Sequence, residues 1–345
     1  MKAVTYSAIR SFLNCKRKFY YQYKMRLRPK ETPTYFTVGS AVHEALECWY
    51  RTRQSEKAES KIDIYFNSRV PEPELENYEE KYEEFVENYE ISRRIFRRYI
   101  AHYFNEDQQI ETIATEKEFI IDAKEVGINI DVKIMLRVDA IIKKNGIQYL
   151  MEHKTSASID QLYKKKLSVD LQSMFYIMCL NAIGYNIQGV CYNVISKKLP
   201  AVPALLKGGG LSTGKNRKPD ITEYINAISD NGLNPADYEE YLDWLKENQT
   251  ETFYREYIGY HDKQFEDLKN ELGCIIKEMM DAEIKESCTG KNETNYYKNT
   301  SNCIGFGTCP FFDVCGALYP ESVIESQFVQ KEKTHEEYDK IEAPA

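Results

Sequence analysis

Leu136-Arg137-Val138-Asp139-Ala140-Ile141-Ile142-Lys143-Lys144-Asn145-Gly146-Ile147-Gln148-Tyr149-Leu150-Met151-Glu152-His153-Lys154 holds two largely apolar runs on either side of Asn145-Gly146. Asn-Gly tolerates the positive φ that two-residue hairpin turns require, so the pattern predicts an antiparallel strand pair. Side chains alternate between faces along a strand, so Glu152 and Lys154 point the same way. Pairing across the turn brings Asp139 toward them and gathers two carboxylates and a lysine in one region. Hard oxygen donors of this kind suit Mg²⁺ or Mn²⁺. Such an ion can activate water and offset charge on a phosphodiester, and a lysine can orient that water or stabilise developing charge. The same residues also fit a solvated hairpin end closed by a salt bridge.

Outward from the hairpin, Ile113 to Ile121 and Ile128 to Ile134 are β-branched runs that predict further strands. Asp170 to Ile183 predicts a helix stopped by Gly184, and Ile187 to Ile195 another strand. Upstream, Ser7 is a candidate N-cap for a helix with Ile9, Phe12 and Leu13 on one face, and a second helix begins near Gly39 and runs through Trp49. The order helix, antiparallel strands, helix, strand predicts an α/β domain with a mixed sheet flanked by helices. The chain divides into an N-terminal helical part (1–55), a helical insertion (56–110), the core (111–200), a glycine-rich loop with a mostly helical region (201–300), a cysteine segment (301–320) and an acidic tail (321–345).

The 345 residues are 42% hydrophobic, enough for one sizeable core with a helical lobe. No run of eighteen apolar residues predicts a membrane span. The first thirty residues lack the apolar core of a signal peptide, so the expected compartment is the cytoplasm and no membrane partner is expected. The net charge of -8 excludes a broadly basic surface but not a local basic stripe. Lys16, Arg17, Lys18, Lys24 and Arg26 form such a stripe, with Tyr20 and other aromatics interleaved, as expected of a groove that tracks phosphates and stacks unpaired bases. A solvated basic helix with packed tyrosines has the same pattern. Arg93, Arg94, Arg97 and Arg98 form a second cluster, and Lys164 to Lys166 a third.

Nine cysteines, an odd number without a secretion signal, argue against a disulfide framework. Cys303, Cys309 and Cys315 are separated by five intervening residues each and can wrap a soft metal centre, given one more ligand. Cys15 is the candidate and Cys288 the substitute; an iron–sulfur cluster, a four-cysteine zinc site and free thiols are the three readings. Cys48, Cys179 and Cys191 lie in apolar runs and read as buried thiols, Cys274 as a helix-face thiol. Gly209 to Asn216 nearly matches a phosphate-binding loop but has Asn216 where Ser or Thr should reach Mg²⁺, which predicts a mobile basic loop rather than an ATPase element.

Four pieces occur in a telling order: Gly39-Ser40-Ala41-Val42-His43, then Asp139, then Glu152-His153-Lys154, then Gln172-Ser173-Met174-Phe175-Tyr176. In that order they resemble the motifs of the PD-(D/E)xK nuclease superfamily, and within it the RecB-type exonuclease domains. These include iron–sulfur forms found in helicase–nucleases, CRISPR-adaptation nucleases and phage proteins. The resemblance runs from Ser7 to Ile195 and resumes at Cys303. It implies a restriction-endonuclease-like α/β fold and a metal-dependent deoxyribonuclease, an exonuclease preferring single-stranded DNA or a free end. It also implies a helicase or recombination complex as partner. His43, Asp139, Glu152 and the carbonyl of His153 become the implied ligands of Mg²⁺ or Mn²⁺. Lys154 becomes a catalytic group, and Gln172 and Tyr176 the residues that position DNA and the catalytic centre. Cys15 with Cys303, Cys309 and Cys315 becomes the implied ligand set of a [4Fe–4S] cluster stapling the two ends of the domain. The family often has glycine shortly before its aspartate, where this chain has Leu136-Arg137, which leaves Asp131 as the alternative to Asp139. A catalytically idle member of the fold, serving as a DNA-binding or interaction subunit, is the rival functional reading.

Overall fold

The Asn145-Gly146 turn forms, with both residues at positive φ (52° and 83°), and joins two strands of a mixed sheet. The computed structural model describes residues 2–30, 35–73, 77–216, 218–289, 295–305 and 307–331. The acidic tail at 332–345 lies outside the described residues.

The chain opens with β1 (Ala3–Thr5), α1 (Tyr6–Asn14) and α2 (Lys16–Phe19), the last running into a π-helical turn at Tyr20–Lys24, then β2 (Leu27–Pro29). Three helices follow: α3 (Tyr35–Thr52), α4 (Ser55–Asn67) and α5 (Tyr78–Asp107). The central strands are β3 (Ile110–Asp122), β4 (Lys133–Lys144) and β5 (Ile147–Ser156). Next come α6 (Gln161–Leu167), α7 (Leu171–Ala182) and β6 (Ile187–Ser196). After β6 lie α8 (Ile221–Asp230), α9 (Glu239–Glu247), β7 (Phe253–Gly259) and the long α10 (Asp262–Thr289). The C-terminal part holds β8 (Ile304–Gly305), β9 (Gly307–Thr308), α11 (Phe312–Gly316), α12 (Pro320–Gln327) and β10 (Phe328–Gln330).

Among the described residues the sheet has six strands in the order β1-β4-β5-β6-β7, with β3 on the other edge of β4. β1 and β6 enter parallel to β4 and β5 respectively; the other pairings are antiparallel. β4 is shared unequally. β1 covers Lys133 to Met135, and β5 covers Ala140 to Lys144 on the same edge. Between these two pairings residues 136–139 face a fork, and Asp139 stands at its apex.

Each face of the sheet carries its own core. One buries Phe12, Phe175, Tyr192 and Leu272 from α1, α7, β6 and α10; the other buries Val42, Trp49, Phe66 and Phe96 from α3, α4 and α5. A small third core of Leu211, Tyr224, Ile228, Tyr241 and Leu245 lies in the excursion between β6 and β7. The chain ends are seamed by β2 pairing with β10, and by Asn299 and Asn302 donating to the Asn14 carbonyl at 2.9 and 2.6 Å.

One expectation is corrected and another is refined. Ile128 to Ile134 is not a strand of its own: β4 starts only at Lys133. Ile128, Ile130 and Val132 are buried, but the backbone turns tightly, Ile130 N–H donating to Ile128 and Val132 N–H to Ile130, so the β-branched residues plug the core from a loop. The stretch expected to be mostly helical holds α8, α9 and α10 but is interrupted by β7, whose Arg255 and Glu256 disguise a strand that pairs with the buried β6. The Gly209 to Asn216 loop precedes no phosphate-binding helix; Leu205 bridges Leu211 across its tip, and Lys215 lies 5.6 Å from the Trp244 ring centre.

Candidate metal and nucleic-acid site

Asp139 sits where β4 and β5 part. The ladder between them ends at Ala140 and Met151, so the next N–H of β5 loses its strand partner. The Asp139 carboxylate takes that place, accepting from His153 N–H at 2.8 Å. The carboxylate is thereby fixed by backbone while 23% of its side-chain surface stays open.

Glu152 precedes His153 and is buried, with 3% of its side chain exposed. Its Oε2 accepts from Lys154 Nζ at 3.1 Å, but Oε1 has no partner among the described residues. A buried carboxylate oxygen without a donor costs roughly 1–3 kcal/mol or more. Lys154 Nζ also reaches Gln172 Oε1 at 3.1 Å and Asp170 Oδ2 at 3.7 Å. Gln172 and Tyr176 share a face of α7 one turn apart. Asp170 caps α7 by accepting from Gln172 N–H at 3.1 Å, so one carboxylate both starts the helix and faces the lysine.

His43 reaches the site through packing. A Cβ on Gly39 would stand 2.8 Å from Thr155 Oγ1, so any other residue would have to push the Thr155 side chain aside for α3 to sit this close to the end of β5. One helical turn later His43 Nδ1 lies 3.9 Å from Asp139 Oδ2. The glycine-to-histidine spacing is thus a contact distance written into the helix. A cavity of about 360 Å³ opens beside His43, lined among others by Gly39, Glu47, Glu116, Thr155 and Lys197.

The charges are held under tension. Burial raises the Glu152 carboxyl to about 7, with Lys154 opposing and the Asp139 charge adding to the rise. Burial raises Asp139 to about 6 against the His153 hydrogen bond and Lys154. Burial would lower Lys154, but Glu152, Asp170 and Asp139 hold it well above the ordinary lysine range. Burial lowers His43 to about 4, so it is a neutral nitrogen donor at physiological pH. Two adjacent carboxyls, a free buried oxygen and a neutral imidazole are a donor set for a hard divalent cation. Among the described residues no three His, Cys, Asp or Glu side chains already stand within one ion's coordination sphere.

A pH-dependent stability follows. Both folded-state carboxyl pKa values lie above their ordinary values near 4, so the folded metal-free protein holds protons that the unfolded chain has released. Its stability therefore falls as pH rises from about 4 to about 7, and above that the repulsion is fully present. Thermal melting with Mn²⁺ is expected to show a large rise in Tm at about pH 8 and little at about pH 5, where protons compete for the same oxygens.

The other sequence candidates are placed as follows. Cys15, Cys303, Cys309 and Cys315 line one cavity of about 180 Å³, and Asn299 N–H donates to Cys15 Sγ at 3.4 Å. Cys48, Cys179 and Cys191 are buried; Cys274 and Cys288 are exposed and line no part of that cavity. The basic stripe is largely turned inward, which corrects its reading as a DNA-tracking row. Lys16 pairs with Glu278, Lys24 with Glu283 at 2.6 Å, and the buried Arg17 donates to the Tyr296 carbonyl at 2.9 Å. Tyr20 is 4% exposed and stacks on Tyr296, so its ring cannot receive a base. Lys18 and Arg26 stay half-exposed. In the second cluster Arg93 and Arg97 pair with Glu59, and Arg98 with Asp220 and Glu223. Asp131, the alternative aspartate, precedes β4, is 94% exposed and pairs with Lys124 at 3.5 Å, outside the fork.

Sequence reasoning missed Asp170, whose only signal is its place two residues before Gln172. It also missed Arg255 and Asp107, buried beneath the site at 3% and 0% side-chain exposure.

A family model described as the PD-(D/E)XK nuclease superfamily matches residues 3–316 of the chain. A search of curated proteins gives no match. Among the described residues no helix is long and apolar enough to cross a membrane.

Proposed function

The chain belongs to the PD-(D/E)XK nuclease superfamily, and from that premise we propose that it is a Mg²⁺- or Mn²⁺-dependent deoxyribonuclease whose centre is Asp139, Glu152 and Lys154. The observation that carries the reading is the buried Glu152 oxygen left without a donor beside a second raised carboxyl. A cation answers both features at once. Asp139, Glu152 and His43, with the His153 carbonyl, would hold it. When bound, such an ion supplies Lewis-acid stabilisation of the phosphodiester and an acidified water. Lys154, clamped by Glu152, Gln172 and Asp170, presents a fixed positive charge where negative charge develops. Gln172 fixes the position of Lys154, and Tyr176, one helical turn along α7, would position the DNA beside it.

The finer reading is an exonuclease acting on single strands. That preference rests on the resemblance to the RecB-type exonuclease domains. Lys18 and Arg26 are retained as DNA contacts. The test is end-labelled single- and double-stranded DNA with Mn²⁺ or chelator. Mononucleotides released from single strands support the reading; DNA binding without metal-stimulated cleavage would favour the idle-subunit alternative. A helicase or recombination complex as partner rests on the family resemblance alone.

For the four cysteines we propose a [4Fe–4S] cluster. All four cysteines line one cavity of about 180 Å³, and the resemblance to the iron–sulfur RecB-type nucleases favours a cluster over a single zinc ion. Anaerobically purified protein is expected to be brown and to contain iron and acid-labile sulfide. Colourless protein with stoichiometric zinc would reject the cluster.

A further inference from the structure

Beneath the candidate metal site lies a closed set of polar side chains that the proposed chemistry does not use. Asp107 at the end of α5 is fully buried and accepts from Trp49 Nε1 at 2.7 Å, Tyr50 OH at 2.9 Å and Arg255 Nη1 at 2.9 Å. Tyr50 OH and Tyr99 OH are 2.7 Å apart, and Tyr99 OH is 2.7 Å from Asn193 Nδ2. Asn193 Nδ2 is in turn 2.8 Å from His153 Nδ1.

The direction of every bond in this chain follows from its first member. A carboxylate only accepts, so Tyr50 spends its one proton on Asp107. In the bond between the tyrosines Tyr99 must then donate, and its own proton is spent. Tyr99 can therefore only accept from Asn193, which turns the amide nitrogen toward it. The opposite amide orientation is blocked from the other side too. Arg255, which only donates, points Nε and Nη2 at Asn193 Oδ1, each at 3.4 Å. The second amide proton then faces His153 Nδ1, which must accept, and the imidazole proton is forced onto Nε2. His153 Nε2 has no hydrogen-bond partner among the described residues, so none of them competes for the choice.

We infer that Asp107 and Arg255 are positioning residues for the candidate metal site, locking His153 as the neutral Nε2–H tautomer through Tyr50, Tyr99 and Asn193. His153 is where this matters. Its N–H holds Asp139, and its ring lies edge-to-face with His43 at 5.8 Å and against Tyr50 at 5.3 Å. A ring locked in one orientation holds His43 and the β5 backbone at Asp139 together. The inference rests on the reading of Asp139 and His43 as metal-holding residues.

The test uses full-length protein labelled with ¹⁵N at its five histidines. Wild-type His153 is expected as pure Nε2–H without metal. Asn193→Asp keeps the shape and the Arg255 contact but offers an acceptor to Nδ1, so the proton should move to Nδ1. Asn193→Leu leaves Nδ1 without a partner and should give mixed tautomers, which decides the matter if the new carboxylate prevents folding. Either variant is expected to weaken Mn²⁺ binding about tenfold, the usual effect of losing an outer partner of a metal site. Wild-type protein that binds no Mn²⁺ would overturn the metal reading itself. Wild-type protein that binds Mn²⁺ while His153 is mixed or Nδ1–H would overturn only this inference. So would variants that shift the tautomer and keep wild-type Mn²⁺ affinity.

Discussion

Lys154→Met is expected to lower metal-dependent cleavage about 10²–10³-fold, the usual cost of deleting one preorganised charge at a developing anion. The methionine keeps the length and the apolar stem, and the removed ammonium contacts only Glu152, Gln172 and Asp170 in the ion pairs and hydrogen bonds seen here. The carboxylates that would hold the ion remain. The Mn²⁺-induced rise in Tm should therefore persist, separating loss of chemistry from loss of metal. Cleavage within about threefold of wild type, with the fold intact by circular dichroism, would remove Lys154 from the mechanism.

Asp107→Ala is expected to be the most destabilising of the single substitutions considered. It leaves Arg255 buried with 3% of its side chain exposed and opposed only by the more distant Glu106 at 3.4 Å. It also strips the acceptor from Trp49 and Tyr50. Breaking one partner of a buried ion pair costs about 3–5 kcal/mol, which for a chain of this size lowers Tm by about 4–7 °C. Arg97→Ala removes an ion pair with Glu59 that is 59% exposed on the arginine side, and should cost no more than about 1 kcal/mol. Equal Tm losses for the two variants would contradict the account of the buried network.

The hairpin and its carboxylates were legible because they are local. Asn145-Gly146 sets the register, and alternation places Glu152 and Lys154 on one face. The fork at Asp139 was not legible. It arises because β1, more than a hundred residues earlier, takes the lower part of the β4 edge while β5 leaves to follow β6. β7 was hidden for a related reason. Arg255 reads as surface in sequence and becomes core only when α5 supplies Asp107. The basic run after Cys15 shows the reverse error. Its charges were counted correctly, but the partners of Lys16 and Lys24 lie on α10, some 260 residues away, so an electrostatic stripe became a seam between the chain's ends. Cys303, Cys309 and Cys315 were grouped by their even spacing and Cys15 was joined to them by family resemblance, and the fold brings all four to one cavity.

Whether Asp139 works with a divalent ion in breaking DNA is tested most directly by Asp139→Asn. The amide oxygen can still accept from His153 N–H, so the fork should stay formed while the ligand charge is lost. Cleavage of end-labelled single-stranded DNA is then measured with Mn²⁺ at about pH 8, where the wild-type carboxyls are ionised. Wild-type protein should degrade the strand and lose all activity in chelator, and the folded variant should show neither cleavage nor a Mn²⁺-dependent rise in Tm. Cleavage by the variant at the wild-type rate would contradict the assignment of the site.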